Sequence, residues 1–252
     1  MAFYITLPSN GSRYFPDNRA GDYKIKLPQK IRIPSNTYEV ALAELTYICS
    51  MKTLTGCDED NVIEYTGLQG GYIDLPLLHY NSIQHLVTII NQHFEQHELP
   101  CSLFYSEGKC LISFQVGSGY SISISAKLSD ILGYNGKTQF NSKEPNQTTS
   151  PTFFFGNYRP DIQGGRHHMF IYCDIIDPQI VGSSLVPLLR MVNTAGTEGQ
   201  AMTQTFSTPF YVPLSRSEFD TVSIRLCDEF GEELPIDKGH VTLTLHFRNR
   251  TE

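Results

Sequence analysis

His93 and His97 stand four residues apart in a stretch of helical periodicity, a spacing that can turn two imidazoles onto one metal ion. A zinc site needs further ligands, and neither an HExxH motif nor a suitably spaced third ligand accompanies the pair. Together with His85 they read as solvated histidines opposite an apolar stripe. His167 and His168 follow Gly164-Gly-Arg and read as a loop entering a strand. Asp58, Glu59 and Asp60 form an acidic cluster that could attract Ca²⁺, but the spacing of a calcium loop is missing and a solvated turn explains them. Gly117-Ser-Gly119 falls between two strand-like runs. It therefore lacks the helix N-terminus that a phosphate loop requires. No G-x-S-x-G is present and no cysteine has an evident histidine partner. The paired carboxylates of a glycoside hydrolase need only meet in space, and the sequence singles out no pair. No catalytic, cofactor-binding or metal residue is assigned, and the chain is expected not to be an enzyme.

Composition narrows the class. The 252 residues are 40% hydrophobic and 12% aromatic, enough for a packed core and too apolar for disorder. Only 18% are charged, below the usual quarter or so, and a charge-poor surface often accompanies burial against other subunits. The net charge of -7 is dispersed and no Lys/Arg run occurs, so no direct nucleic-acid surface is marked. The start, MAFYITLPSN, has neither a basic region nor a long apolar stretch, and no run of 18 apolar residues occurs. A signal peptide and a membrane span are therefore not expected. The six cysteines lack CxxC spacing and are expected to be reduced and mostly buried. The sequons at Asn10, Asn146 and Asn249 are then chance matches.

The elements that would position any site begin and end in β-structure. Residues 3–7, 23–27 and 38–47 alternate apolar with polar and are separated by Pro, Gly, Asn and Asp. In the second, Tyr23, Ile25 and Leu27 share a face. In the third, Val40, Leu42 and Glu44 fall on one face, with Ala41, Ala43 and Leu45 on the other. The middle differs. A strand at 71–75 precedes an amphipathic helix whose stripe is Ile83, Leu86, Val87, Ile90 and Phe94. Asn81 or Ser82 can cap it, with Gln84 in capping-box spacing from Asn81. Strands at 101–105, 110–115 and 120–125 and a short helix at 126–132, stopped by Gly133, complete a compact α+β block over 66–135. Residues 136–167 read as a long loop, in which Phe153, Phe154 and Phe155 are expected to pack locally. Strands return at 168–176, 185–192, 206–212, 222–227 and 241–247, the last two joined by a hairpin opened at Asp228–Gly231. Three strands before the block and five after make eight, the number in a jelly roll. The expected fold is mainly β: a discontinuous single jelly-roll sandwich over 1–65 and 136–252, with an inserted α+β domain over 66–135.

Particular segments carry a more specific likeness. FYITLPSN, YFPDN, YKIKLP and YEVALAEL at the start resemble the opening of the penton, or minor capsid, proteins of Polinton/Maverick elements and adintoviruses. IYCDIIDPQIVGSSLVPLLRMV and FYVPLSRSEFDTVSIRLCDEFGEELPIDKGHVTLTLHFR resemble that family's close, and GYIDLPLLHYNSIQHLVTIINQHF through LSDILGY its middle. Relatives continue from YEVALAEL toward a Trp-containing stretch, whereas this chain has no Trp. The resemblance implies a structural capsid protein located in the virion, assembled in the host nucleus or cytoplasm. It would form homopentamers at the five-fold vertices beside a double jelly-roll major capsid protein. The inserted domain would be an outward knob reaching a host surface receptor or neighbouring proteins. Two other classes stay open on the residues alone: a β-sandwich that binds a receptor or glycan without any capsid, and an enzyme whose site assembles only in space.

Overall fold

The computed structural model describes residues 2–250 except 35–36, 143–149, 195, 198 and 230, and the side chain of Asp58. The chain opens with strands β1 (Phe3–Pro8), β2 (Asp22–Arg32) and β3 (Tyr38–Ile48). A second run follows, with β4 (Val62–Thr66), β5 (Gly71–Asp74), helix α1 (Ile83–Gln96), β6 (Cys101–Ser106), β7 (Leu111–Val116), β8 (Ser121–Ile124), helix α2 (Ala126–Ile131), β9 (Gln139–Asn141) and β10 (Thr152–Phe155). The chain closes with β11 (His168–Cys173), β12 (Gln179–Val181), β13 (Ser184–Val186), β14 (Leu188–Asn193), β15 (Ala201–Thr205), β16 (Val212–Pro213), β17 (Glu218–Cys227) and β18 (Thr242–Asn249).

Two compact units result: Met1–Met51 with Arg166–Glu252, and Lys52–Gly165. The divisions lie outside the 65/66 and 135/136 positions read from sequence. Val62–Thr66 on one side and Gln139–Asn141 on the other both pair with β8, and Thr152–Phe155 pairs with β7, so pairing draws these flanks into the second unit.

In the first unit eight strands form two sheets, ordered β1-β18-β3-β15 (with β16 also on β3) and β14-β11-β17-β2. Counted along these eight, first pairs with eighth, second with seventh, third with sixth and fourth with fifth. Those are the pairs of one long antiparallel hairpin, and rolling it up places alternate pairs in opposite sheets, which is a jelly roll. The hinge of that hairpin is the fourth-to-fifth connection, and it carries the small β12–β13 ribbon.

The core follows from strand periodicity. Tyr23, Ile25 and Leu27 of β2 all point inward, as their alternation requires. In β3 the inward set is Val40 and Leu42 and then Leu45 and Tyr47. Glu44 therefore does not continue the Val40–Leu42 face. A register shift against β18 between Thr244 and Leu245 moves the buried face from even to odd positions, as a bulge does. The buried Phe247 stacks on Phe3 at 4.8 Å within its sheet and on Phe219 of the other sheet at 6.1 Å.

Three expectations for the closing segment are corrected. The last two long strands do not form a hairpin: β17 pairs with β2 and β11, whereas β18 pairs with β1 and β3. The run at 185–192 is interrupted at Pro187, which lacks the N–H a continuous ladder needs. The strand placed at 206–212 lies earlier, at Ala201–Thr205, and of that run only Val212 is in a strand, the two-residue β16. Ala-Met-Thr-Gln-Thr has one apolar side chain of any size, so its pairing with β3 makes it a strand where its side-chain pattern is silent.

The second unit has sheets β5-β4-β8-β9 and β10-β7-β6 around its own apolar core. The stripe Ile83, Leu86, Val87, Ile90 and Phe94 of α1 is buried as spaced. The cap is Ser82, whose hydroxyl accepts from the His85 N–H at 3.1 Å; Gln84 thus falls one position short of a capping box. Asn91 docks the helix on β6, donating to the Leu103 carbonyl (2.9 Å) and accepting from its N–H (2.8 Å). Helix α2 stops at Gly133, whose φ of +85° and a would-be Cβ 2.3 Å from the Tyr158 carbonyl exclude any side chain.

The long loop expected over 136–167 contains β9 and β10. Each turns one aromatic inward, and Phe140 and Phe154 continue a chain of rings from Phe94 through Phe114 at centroid distances of 4.9–5.8 Å. Phe153 and Phe155 do not pack down with Phe154, because successive strand residues face opposite sides.

Candidate assembly surfaces

The histidines singled out by sequence make local contacts, with His97 exposed and His85, His93 and His168 half-buried. His93 and His97 lie 6.5 Å apart ring to ring, and His97 Nδ1 is spent on the His93 carbonyl at 2.9 Å. His85 leans on Tyr80, and its buried Nδ1 has no hydrogen-bond partner. His168 pairs with Glu229 (2.6 Å), while the His167 carbonyl accepts from the Thr194 N–H. Gly117 abuts Pro100 and its carbonyl accepts from Tyr120 N–H, closing a turn between β7 and β8.

Of the acidic cluster, Asp60 is buried rather than part of a solvated turn, and the Asp58 side chain lies outside the described residues. The Asp60 side chain is fully buried and accepts from the Thr55 and Gly56 N–H groups (2.7–3.0 Å), the Thr55 hydroxyl (2.9 Å) and Lys127 (3.2 Å). Burial pushes its carboxyl up, and those donors together hold it below the usual carboxylate range. Among the described residues no group of three or more His, Cys, Asp or Glu side chains could hold a metal ion.

All six cysteines are free thiols. Burial, aided by the nearby Asp174, pushes Cys173 up to about 12 against a backbone hydrogen bond from Ile175 and the charge of Arg216, so it stays a protonated core thiol at neutral pH. Asn10 and Asn249 are exposed, and Asn146 lies outside the described residues. No helix is long and apolar enough to cross a membrane among the described residues. One cleft of about 640 Å³ lies between the Tyr14–Arg19 segment and the start of β2. Three of its polar side chains are committed internally: Asn18 bonds both backbone groups of Lys24, the Tyr23 hydroxyl donates to the Leu7 carbonyl, and Arg19 pairs with Glu233.

What the first unit offers instead is two unlike sheet faces. The outer face of the β1-β18-β3-β15 sheet is a hydroxyl lattice. Thr6 meets Thr244 at 3.4 Å and Thr46 meets Thr203 at 3.1 Å, both in cross-strand pairs. Beside it Tyr4 stacks on His246 (4.4 Å), Tyr211 hydroxyl lies 2.7 Å from His246 Nδ1, and Arg248 covers the Tyr211 ring while bonding Glu39 at 2.6 Å. The outer face of the other sheet is charged along edge strand β2. Lys26 pairs with Asp220 (2.5 Å), Lys30 with Glu218 (2.8 Å), and Lys24 and Arg32 are exposed. Lysines along an edge also discourage uncontrolled strand addition. At the hinge, the β12–β13 ribbon presents the cross-strand pair Ile180 and Leu185, 82% and 68% exposed. It is rooted by the Gln179 amide on the Leu188 carbonyl (3.0 Å). Sequence reading did not single out this pair; two apolar residues flanking Gly-Ser-Ser within an uncharged run were the available signal.

Eight main strands in two sheets and in rolled-hairpin order, with a second unit carried in the β3-to-β11 connection, define a single jelly-roll protein. No protein-family model matches the chain, and no curated protein does. Among solved structures, the chain is similar to the mavirus penton protein in crystal form, at 10% identity, over 99% of this chain and 100% of that one, with a TM-score of 0.51. It also matches a chain of the Sputnik virophage cryo-EM structure at 12% identity, over 98% and 97% of the two chains, with a TM-score of 0.45. At such identity the likeness to the mavirus protein is one of fold, and the mainly β, jelly-roll architecture expected from sequence is the architecture found.

Proposed function

We propose that this chain is a structural capsid protein, a penton that forms homopentamers at the five-fold vertices of an icosahedral virion, and that it is not an enzyme. The observation that carries the reading is the rolled eight-strand topology with a unit in the β3-to-β11 connection, in a chain that follows the mavirus penton protein from end to end. The physics of a ring agrees. Cyclic five-fold contacts join two different faces of each copy, and this sandwich has one hydroxyl-rich face and one charged face. A double jelly-roll major capsid protein is the expected neighbour. The second unit is the part that would reach a host surface receptor.

The test is the solution mass by light scattering after gel filtration, alone and with particles of the major capsid protein. Five times the 28.5 kDa chain is the expected value. A monomer or dimer under both conditions would overturn the reading. We also propose that Lys52–Gly165 is a separable domain. Replacing it by a short Gly/Ser linker should leave the first unit folded, with β18 amides still protected from hydrogen exchange; loss of that protection would refute separability.

A further inference from the structure

We infer that the outer face of the β10-β7-β6 sheet is a binding platform for a neutral glycan, an inference that deepens and rests on the receptor-contact reading of the second unit. Three phenylalanines stand on this face: Phe104, Phe153 and Phe155, exposed by 51%, 48% and 68%. Their placement follows from register. Phe155 pairs with Ser113, which pairs with Phe104, so two rings stand in one row across the sheet, two strand spacings or about 9.5 Å apart. Phe153 pairs with Gln115, which pairs with Ser102, forming the next outward row two residues along. The neighbours Phe154 and Phe114, paired on the opposite side, enter the core and hold the sheet flat against it. Three exposed rings on one face are not the scattered apolar residues that any surface carries.

The chemistry between the rings selects the partner. The three strands read CSLFYS, LISFQV and TFFF, without one charged residue. The outward groups between the phenylalanines are short hydroxyls and one amide. A nucleic acid stacking on aromatic rings would also need basic residues along its backbone, and a membrane surface would need them for the headgroups. Protein-interface cores favour Met and Arg with their aromatics and are depleted in serine. A pyranose suits what remains. Its weakly positive C–H face packs on the negative face of a ring, and its hydroxyls exchange hydrogen bonds with Ser and Gln. The spaced rows suit an extended oligosaccharide better than a single sugar.

The test uses the full chain titrated with unbranched neutral hexose and N-acetylhexosamine hexamers by calorimetry, beside the F104A/F155A double variant and the ring-conserving F104Y/F155Y. Saturable binding of at least one hexamer, weakened at least tenfold in F104A/F155A and retained in F104Y/F155Y, with an unchanged thermal midpoint, is the expected result. Absence of binding up to millimolar hexamer, or equal binding by wild type and F104A/F155A, would overturn it. So would a change in the light-scattering mass of F104A/F155A, because the face would then be a contact between copies. The wild-type mass reports on the vertex reading separately, and hexamer binding by a monomer would sustain the platform while that reading failed.

Discussion

Phe247→Ala is expected to remove about 4 kcal/mol from the jelly-roll unit, within the range of about 3–5 kcal/mol for truncating a fully buried Phe. The side chain is fully buried, lies flat on Phe3 and reaches across the sandwich to Phe219. Truncation opens a void between two sheets whose pairing pins the backbone on both sides, leaving little room for collapse. The ring pairs add to the area lost. Against a domain stability of roughly 5–15 kcal/mol the loss is large. The check is native-state hydrogen exchange of β18 and β3 amides, which should lose protection while α1 amides in the other unit keep theirs. Equal loss in both units would mean that they unfold as one.

Asp60→Ala is expected to cost the second unit about 3 kcal/mol, because the Thr55 and Gly56 N–H groups and Lys127 lose their shared acceptor at a buried site. Acid should expose the same dependence. The folded-state value is depressed below the unfolded one, so the stabilisation is fully present above the ordinary carboxylate value near about 4 and is lost as the pH falls through the lower folded value. The stability advantage of wild type over Asp60→Asn should therefore be constant at neutral pH and shrink below about pH 4. Urea midpoints of α1 amide protection across that range decide it, and an advantage that grows in acid would contradict the assignment.

Much of this architecture is readable from side chains. Tyr23, Ile25 and Leu27 announce a half-buried strand, the five-residue stripe of α1 announces its helix, and most of the sandwich strands, β15 excepted, overlap the alternating runs of the sequence. Thr152–Phe155 shows the limit. A strand of four residues contributes one inward ring, and FFF reads as a cluster until pairing with β7 assigns alternate rings to opposite faces. Phe104 escaped notice for the related reason that its companions lie about fifty residues away in sequence and two strands away in space.

The sequence by itself determined where this protein alternates, where it winds into a helix, and that its ends are β-structure around a different middle, because those properties live in the spacing of neighbouring side chains. Only the tertiary structure decided which strand lies beside which. The separation of β17 from β18 into opposite sheets, the strand made of Ala-Met-Thr-Gln-Thr, the bulge that turns Leu45 inward in place of Glu44, and the assembly of three phenylalanines on one face all come from main-chain pairing over long sequence distances. A backbone hydrogen bond is blind to residue type, so no local pattern can announce its partner.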